Sequence, residues 1–158
     1  IRFEESKTRP MGRNASGVRG IRLKDKKDEV VGMISVNDMD ANILVVSENG
    51  FGKRSSLEDY RLTNRGGKGV KTISITEKTG KLVSLKSVSD NDDLMIINKS
   101  GIAIRMQVED LRVMGRATQG VKVISLKDGD SIAAVAKVMK DEDDLEDVNE
   151  IEFTGDTV

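Results

Sequence analysis

The chain has no cysteine, no histidine and no tryptophan, and only one proline, one tyrosine and three phenylalanines among its 158 residues. Without cysteine there is neither a disulfide framework nor a thiolate metal centre, which fits a reducing compartment. Without histidine the commonest general base and metal ligand is missing. Aromatics at 3% leave Val, Ile, Leu and Met to build the core. No run of about 18 apolar residues occurs, so no helical membrane span is expected. Serines are plentiful, but nothing marks a base to activate one, and no lysine or carboxylate stands out as a nucleophile. Neither catalysis by this stretch alone nor a cofactor or metal held within it is expected.

What is present is charge, at 34% of residues, and it is segregated. Residues 141–158 carry nine Asp and Glu and no Lys or Arg; removing these nine from the 27 acidic residues leaves 18 against 26 basic ones, a charge of +8 for residues 1–140. A basic body with an acidic arm suits a polyanion-binding surface. The arm is expected to be disordered, or at most loosely held, and to compete for the basic surface when the polyanion is absent.

The chain also repeats itself. Arg65-Gly66-Gly67-Lys68-Gly69-Val70-Lys71-Thr72-Ile73 joins three glycines and three cations to a β-branched run. Its Gly-Val pair recurs at Gly17-Val18 and Gly120-Val121, offsets of 52 and 51. Arg9-Pro10-Met11-Gly12-Arg13-Asn14-Ala15 answers to Arg112-Val113-Met114-Gly115-Arg116-Ala117-Thr118, with Arg61 to Gly67 in the middle copy. Glu48-Asn49-Gly50-Phe51-Gly52-Lys53-Arg54 answers to Lys99-Ser100-Gly101-Ile102-Ala103-Ile104-Arg105, and Ile1-Arg2-Phe3 to Ile104-Arg105-Met106. A period near 50 made of short strands signals a propeller or related array. The match at Ile1 makes the chain begin inside a repeat, as a piece of a longer array. The units are 1–40 (partial), 41–90 and 91–140, with 141–158 as the tail.

Each complete unit is expected to hold four strands, which makes the chain all-β and blade-like. In unit two these are Ile43–Val46, buried on both faces, Phe51–Ser55, Val70–Thr76 and Lys81–Val88. Asn49-Gly50 predicts a type I′ hairpin turn, and Ser56 to Tyr60 a single helical turn capped by Ser56. Unit three gives Leu94–Asn98, Ile102–Met106, Val121–Leu126 and Ile132–Val138, and unit one Val18–Leu23 and Val30–Val36.

Two segments have the G-x-x-x-x-G spacing of a phosphate loop, Gly12 to Gly17 and Gly115 to Gly120. Neither continues into Lys-Ser or Lys-Thr, and both lead into strands rather than a helix. Asp90-Asn91-Asp92-Asp93 lacks the Gly and distal Glu of a calcium loop and reads as a turn between units. The basic residues remain: Arg9, Arg13, Arg19 and Arg22 in unit one; Lys53, Arg54, Arg61, Arg65, Lys68 and Lys71 in unit two; Arg105, Arg112, Arg116 and Lys122 in unit three. Recurring at equivalent positions, they would ring the rim of a circular array and suit a bent phosphate backbone rather than a base sequence. Scarce aromatics favour duplex over stacked single strand. A protein-binding propeller scaffold is the alternative from another class, and a propeller enzyme acting on a sugar or nucleotide a remote third.

The series at 9–21, 49–54 and 114–121 resembles the C-terminal domain of DNA gyrase A, of the bacterial type IIA DNA topoisomerases, over essentially residues 1–148. The resemblance implies a β-pinwheel, a propeller with altered strand connections, of which these are the later blades. It implies duplex DNA wrapped on the basic rim in the service of ATP-dependent negative supercoiling, in the bacterial cytoplasm at the nucleoid. The partners it implies are the rest of gyrase A and the gyrase B protein, in an A2B2 assembly with no membrane. The breaking tyrosine, the ATPase site and any ATP and magnesium then lie elsewhere in the parent enzyme. Thr63-Asn64-Arg65-Gly66-Gly67-Lys68-Gly69 matches the last five positions of the gyrase box, Gln-Arg-Arg-Gly-Gly-Lys-Gly, but lacks its Gln and first Arg; by position it is the equivalent loop of a later blade. The corresponding protein of topoisomerase IV, an enzyme that relaxes and decatenates, stays open as a relative. Open strand edges also make self-association of the piece an expectation.

Overall fold

Ile43, Leu44, Val45 and Val46 each expose 5% or less of their surface, so strand β1 (Asn42–Ser47) lies between two layers as its unbroken apolar run requires. Successive side chains of a strand point to opposite faces. Ile43 and Val45 pack with Leu57, Tyr60 and Ile73, against which Ile34 and Val36 of unit one also lie. Leu44 and Val46 face the other way, into a cluster with Val88, Leu94, Ile96, Val108, Leu111, Ile132 and Val135. Each core layer is thus shared by consecutive units, and no unit is closed by itself. These contacts come from a computed structural model that describes residues 1–139. The acidic arm 141–158, with the competition expected of it, falls outside the described residues.

Six further strands follow: β2 (Phe51–Ser56), β3 (Leu82–Val88), β4 (Asp92–Asn98), β5 (Ala103–Gln107), β6 (Val121–Lys122) and β7 (Ile132–Met139). They form two antiparallel sheets, β3-β1-β2-β6 and β5-β4-β7. The described residues are otherwise loops and two short 3₁₀ turns, Glu5–Lys7 and Leu57–Asp59. The second is capped as expected, with the Ser56 hydroxyl accepting from the Glu58 amide at 3.2 Å. None of the described helices is long and apolar enough to cross a membrane.

The third strand of each unit departs from expectation. In unit three it shrinks from Val121–Leu126 to β6, and it pairs with β2 of the preceding unit, Phe51 opposite Lys122 and Gly52 opposite Val121. In unit two no regular strand forms over 70–76. The offset of 52 places the counterparts of Phe51 and Gly52 ahead of Ile1, and the isolated bridge from Arg2 to Leu62 repeats the one from Arg54 to Val113. Residues 18–23 likewise run beside the next unit's Gly-rich loop, where the Gly66 amide donates to Gly20 and the Arg22 amide to Gly67, both at 2.8 Å. Residues 30–36 correspond to β3, which pairs with β1; among the described residues unit one has no counterpart of β1, so this stretch packs without pairing. A strand exists only where a ladder partner does, and here the partner sits in the neighbouring repeat.

The hairpin tip is also different from the expected type I′ turn. Gly50 has φ of 79° and, among the described residues, no non-glycine residue has positive φ, so Asn49 is not in the left-handed region that type I′ demands. The Gly50 amide donates to Ser47 at 3.1 Å. That is the three-residue hairpin, a type I turn followed by a left-handed glycine bulge. Gly101, with φ of 88° and its amide on Asn98 at 3.1 Å, repeats it in unit three.

Candidate nucleic-acid interface

The fourteen cations divide into those that hold units together and those that face solvent. Lys53 and Arg54, on β2, are 0% and 6% exposed. The Lys53 ammonium donates to the Gly115 carbonyl at 2.6 Å, to the Arg116 carbonyl, and to the Thr118 hydroxyl at 3.2 Å. Burial, with the Arg116 charge adding to it and Asp59 opposing, pushes its pKa down to about 8. Arg54 donates to the carbonyls of Leu111 and Glu109 and pairs with Asp90. The placing of these two on an open rim is therefore corrected: both are enclosed where unit two meets unit three. One signal was available for Lys53, which stands where the other copies carry Ile1 and Ile104, a core-type residue in each.

Arg54 belongs to a repeated device. Arg2, its counterpart in unit one, donates to the carbonyls of Leu57 at 3.1 Å and Tyr60 at 3.3 Å, the same short turn one unit later. Arg2 was absent from the sequence-based set. Arg105, the third counterpart, holds Asp93 at 2.6 Å with its side chain 46% exposed.

A second device runs the opposite way. Arg65 reaches back from the Gly-rich loop to the carbonyls of Lys7 at 2.9 Å and Arg19 at 2.6 Å. Arg116 makes the equivalent pair to Asp59, at 3.1 Å, and Lys71. Each fork uses two nitrogens, Nε and Nη1, to reach two carbonyls twelve residues apart in the preceding unit, a spacing set by the planar guanidinium. The glycines beside them serve the same seam. A Cβ on Gly120 would stand 2.6 Å from the Gly52 carbonyl oxygen, and one on Gly69 3.1 Å from Ile1. The close approach that glycine permits is made to the neighbouring unit's backbone.

The other cations are exposed. Arg9, Arg61 and Arg112 occupy one repeat position and Arg19, Lys71 and Lys122 another, and all six face solvent. These are the two positions that carry a cation in every unit and leave its side chain open. Arg13, Arg22 and Lys68 are also exposed, but their counterparts are not uniformly exposed cations: Arg13 matches the clamps Arg65 and Arg116, Lys68 matches Ser16 and Gln119, and Arg22 matches Ser74 and Ser125. No group of acidic residues suited to a metal ion occurs among the described residues.

Repeating antiparallel units that share each core layer and lend a strand to the preceding sheet define a propeller-type repeat protein, here with exposed cations at two positions of every unit. Comparison with known proteins narrows the class. The family model described as DNA gyrase C-terminal domain, beta-propeller, matches residues 1–37, 41–89 and 92–139. DNA gyrase A of Staphylococcus aureus is 49% identical over 160 residues, a match that covers 100% of this chain and 18% of that protein. A solved DNA gyrase A C-terminal domain matches with a TM-score of 0.78 at 30% identity, over 87% of this chain and 46% of that one. The C-terminal domain of DNA topoisomerase IV matches with a TM-score of 0.82 at 22% identity, over 96% of this chain and 48% of that one, a likeness of fold. The chain belongs to the DNA gyrase C-terminal domain family of β-propellers. It spans 18% of the length of the gyrase A relatives it matches.

Proposed function

We propose that this chain binds duplex DNA without regard to sequence and bends it along the row of exposed cations, as the wrapping part of a gyrase acting in a bacterial cytoplasm. The single observation that carries this reading is the sorting of repeated cations. Those at two repeat positions are open in all three units, Arg9, Arg61 and Arg112 with Arg19, Lys71 and Lys122. Evenly repeated charge on a curved array matches evenly repeated phosphates and carries no base information. Arg13, Arg22, Lys68 and Arg105 would add to this edge, whereas Lys53, Arg54, Arg65 and Arg116 act by holding it in shape. Smooth bending of 20–30 bp through 40–90° costs on the order of 1–6 kcal/mol, which a few phosphate contacts per unit offset at moderate salt.

In the parent enzyme the strand-breaking and ATP-using steps would lie outside this chain, and its partners would be the rest of gyrase A and the gyrase B protein. The gyrase reading is preferred to topoisomerase IV because the 49% identity is to gyrase A, while the topoisomerase IV likeness rests on fold. A protein-binding scaffold would leave the periodic open cations unexplained.

The test is fluorescence anisotropy with a duplex and its matched single strand across a salt series. Six neutralised phosphates give a log–log salt slope of about −5, hence a loss of about 10³-fold between 50 and 200 mM salt. Duplex binding with that steepness on unrelated sequences is expected. Absent duplex binding at low salt, or a preference for single strand, would overturn the reading.

A further inference from the structure

Arg65 and Arg116 do more than join units, because of which carbonyls they hold. The Arg65 fork donates to the main chain of Arg19, and the Arg116 fork to the main chain of Lys71. Arg19 and Lys71 are themselves the exposed cations of one repeat position. Each fork therefore ties the loop of one unit to the residue that carries the open charge of the unit before it. The second carbonyl of each fork, Lys7 or Asp59, belongs to the same preceding unit, so the segment is fixed at two points. Lys53 closes the circuit at the seam of units two and three, donating to the Gly115 and Arg116 carbonyls of the loop that carries the fork.

We propose that Arg65 and Arg116 are positioning residues for polyanion binding, acting through the backbone of Arg19 and Lys71 to set where those side chains sit relative to the next unit. This rests on the DNA-binding reading. Electrostatic contact with a phosphate depends on where the charge is held. A chain segment tethered to the following unit places its cation in register with that unit's own cations. With Nε and Nη1 of each guanidinium given to protein carbonyls, these groups contribute through the position of the segment they hold.

The test uses charge-preserving variants of the whole chain. In R65K and R116K the positive charge remains, but a single nitrogen does not reproduce the separate Nε and Nη1 positions from which the two distant carbonyls are held. Each is expected to weaken duplex binding about threefold to tenfold, in the lower part of the roughly 2-fold to 150-fold span of coupling between residues in contact. In a double-mutant cycle the loss from R116K should vanish in a K71A background and persist in an R19A background; the loss from R65K should vanish with R19A and persist with K71A. A fork that served stability alone would show the same loss in both backgrounds, and that result overturns the proposal, as does duplex binding by R65K and R116K equal to the parent's. A second readout needs no DNA: amide hydrogen exchange should rise around residue 71 in R116K and around residue 19 in R65K, each without the other. Unchanged exchange at both segments would also overturn it. If instead R19A and K71A bind duplex as the parent does, the underlying DNA-binding reading has failed and takes the proposal with it.

Discussion

Gly17, Gly69 and Gly120 occupy the same repeat position with nearly the same backbone, φ of 79°, 76° and 82°. They differ in what lies beside them. A Cβ on Gly17 meets nothing within 4 Å, one on Gly69 meets Ile1 at 3.1 Å, and one on Gly120 meets the Gly52 carbonyl oxygen at 2.6 Å. Alanine at each carries the same left-handed penalty of about 1–2 kcal/mol, offset by about 0.4–1 kcal/mol from a stiffer unfolded chain. G17A should therefore cost about 0–1.6 kcal/mol. At Gly120 the opposing strand must retreat by about 0.8 Å to restore ordinary contact at 3.4 Å. That retreat opens the β2–β6 pairing and the 2.8 Å bond from the Val123 amide to Gly50. Two or three such bonds at about 0.5–1.5 kcal/mol each bring G120A to a loss of about 2–5 kcal/mol. Urea unfolding of the three variants, read as midpoint at constant slope, ranks them. The order G17A, G69A, G120A, mildest first, is expected. Equal shifts for G17A and G120A would refute the claim that the strand lent between units is a close-packed joint.

R54M should lose about 2–4 kcal/mol, because it strips the donor from the Leu111 and Glu109 carbonyls in a buried seam. R105M, whose half-exposed side chain holds the buried Asp93 carboxylate, should also lose about 1–3 kcal/mol; no loss in chemical denaturation would show that solvent replaces the arginine at Asp93. Lys53 adds a pH dependence. Its pKa falls from 10.5 unfolded to about 8 folded, so between these values the unfolded chain binds the extra proton and stability rises with pH. Relative to K53M, the parent should gain stability across that window, with no such change below pH 8; a flat difference would mean that Lys53 titrates normally.

Much of the architecture is local and was legible. The both-face burial of β1 follows from four consecutive apolar residues, and the hairpins follow from Gly50 and Gly101 flanked by apolar runs. The third strand was not legible, because Val70 to Thr76 has strand composition but its ladder partner belongs to another repeat. Sequence preference reports the tendency to pair and not the address of the partner. The turn type was misjudged because Asn tolerates the left-handed region without requiring it, and here Gly50 alone takes it. The cations were sorted only by structure. Lys and Arg are rarely buried unless paired, so Lys53, Arg54, Arg65 and Arg116 read as surface charge until their carbonyl partners in the adjoining unit were seen. Repeat comparison did foreshadow Lys53, aligned with Ile1 and Ile104, and it gives four positions where a cation recurs in every unit, of which exposure separates two.

The central claim is that open cations at two repeat positions bind duplex DNA while buried ones hold the array. The most direct measurement is the salt dependence of duplex binding for the parent and for a variant in which Arg61, Lys71, Arg112 and Lys122 are all alanine. The four substitutions are on exposed loop or edge positions, so folding stability should move little, about 0.5 kcal/mol or less at each. The log–log slope should become shallower by about 3.6, at about 0.9 per phosphate contact removed. An unchanged slope in a folded variant would place the DNA-binding charge elsewhere and contradict the account.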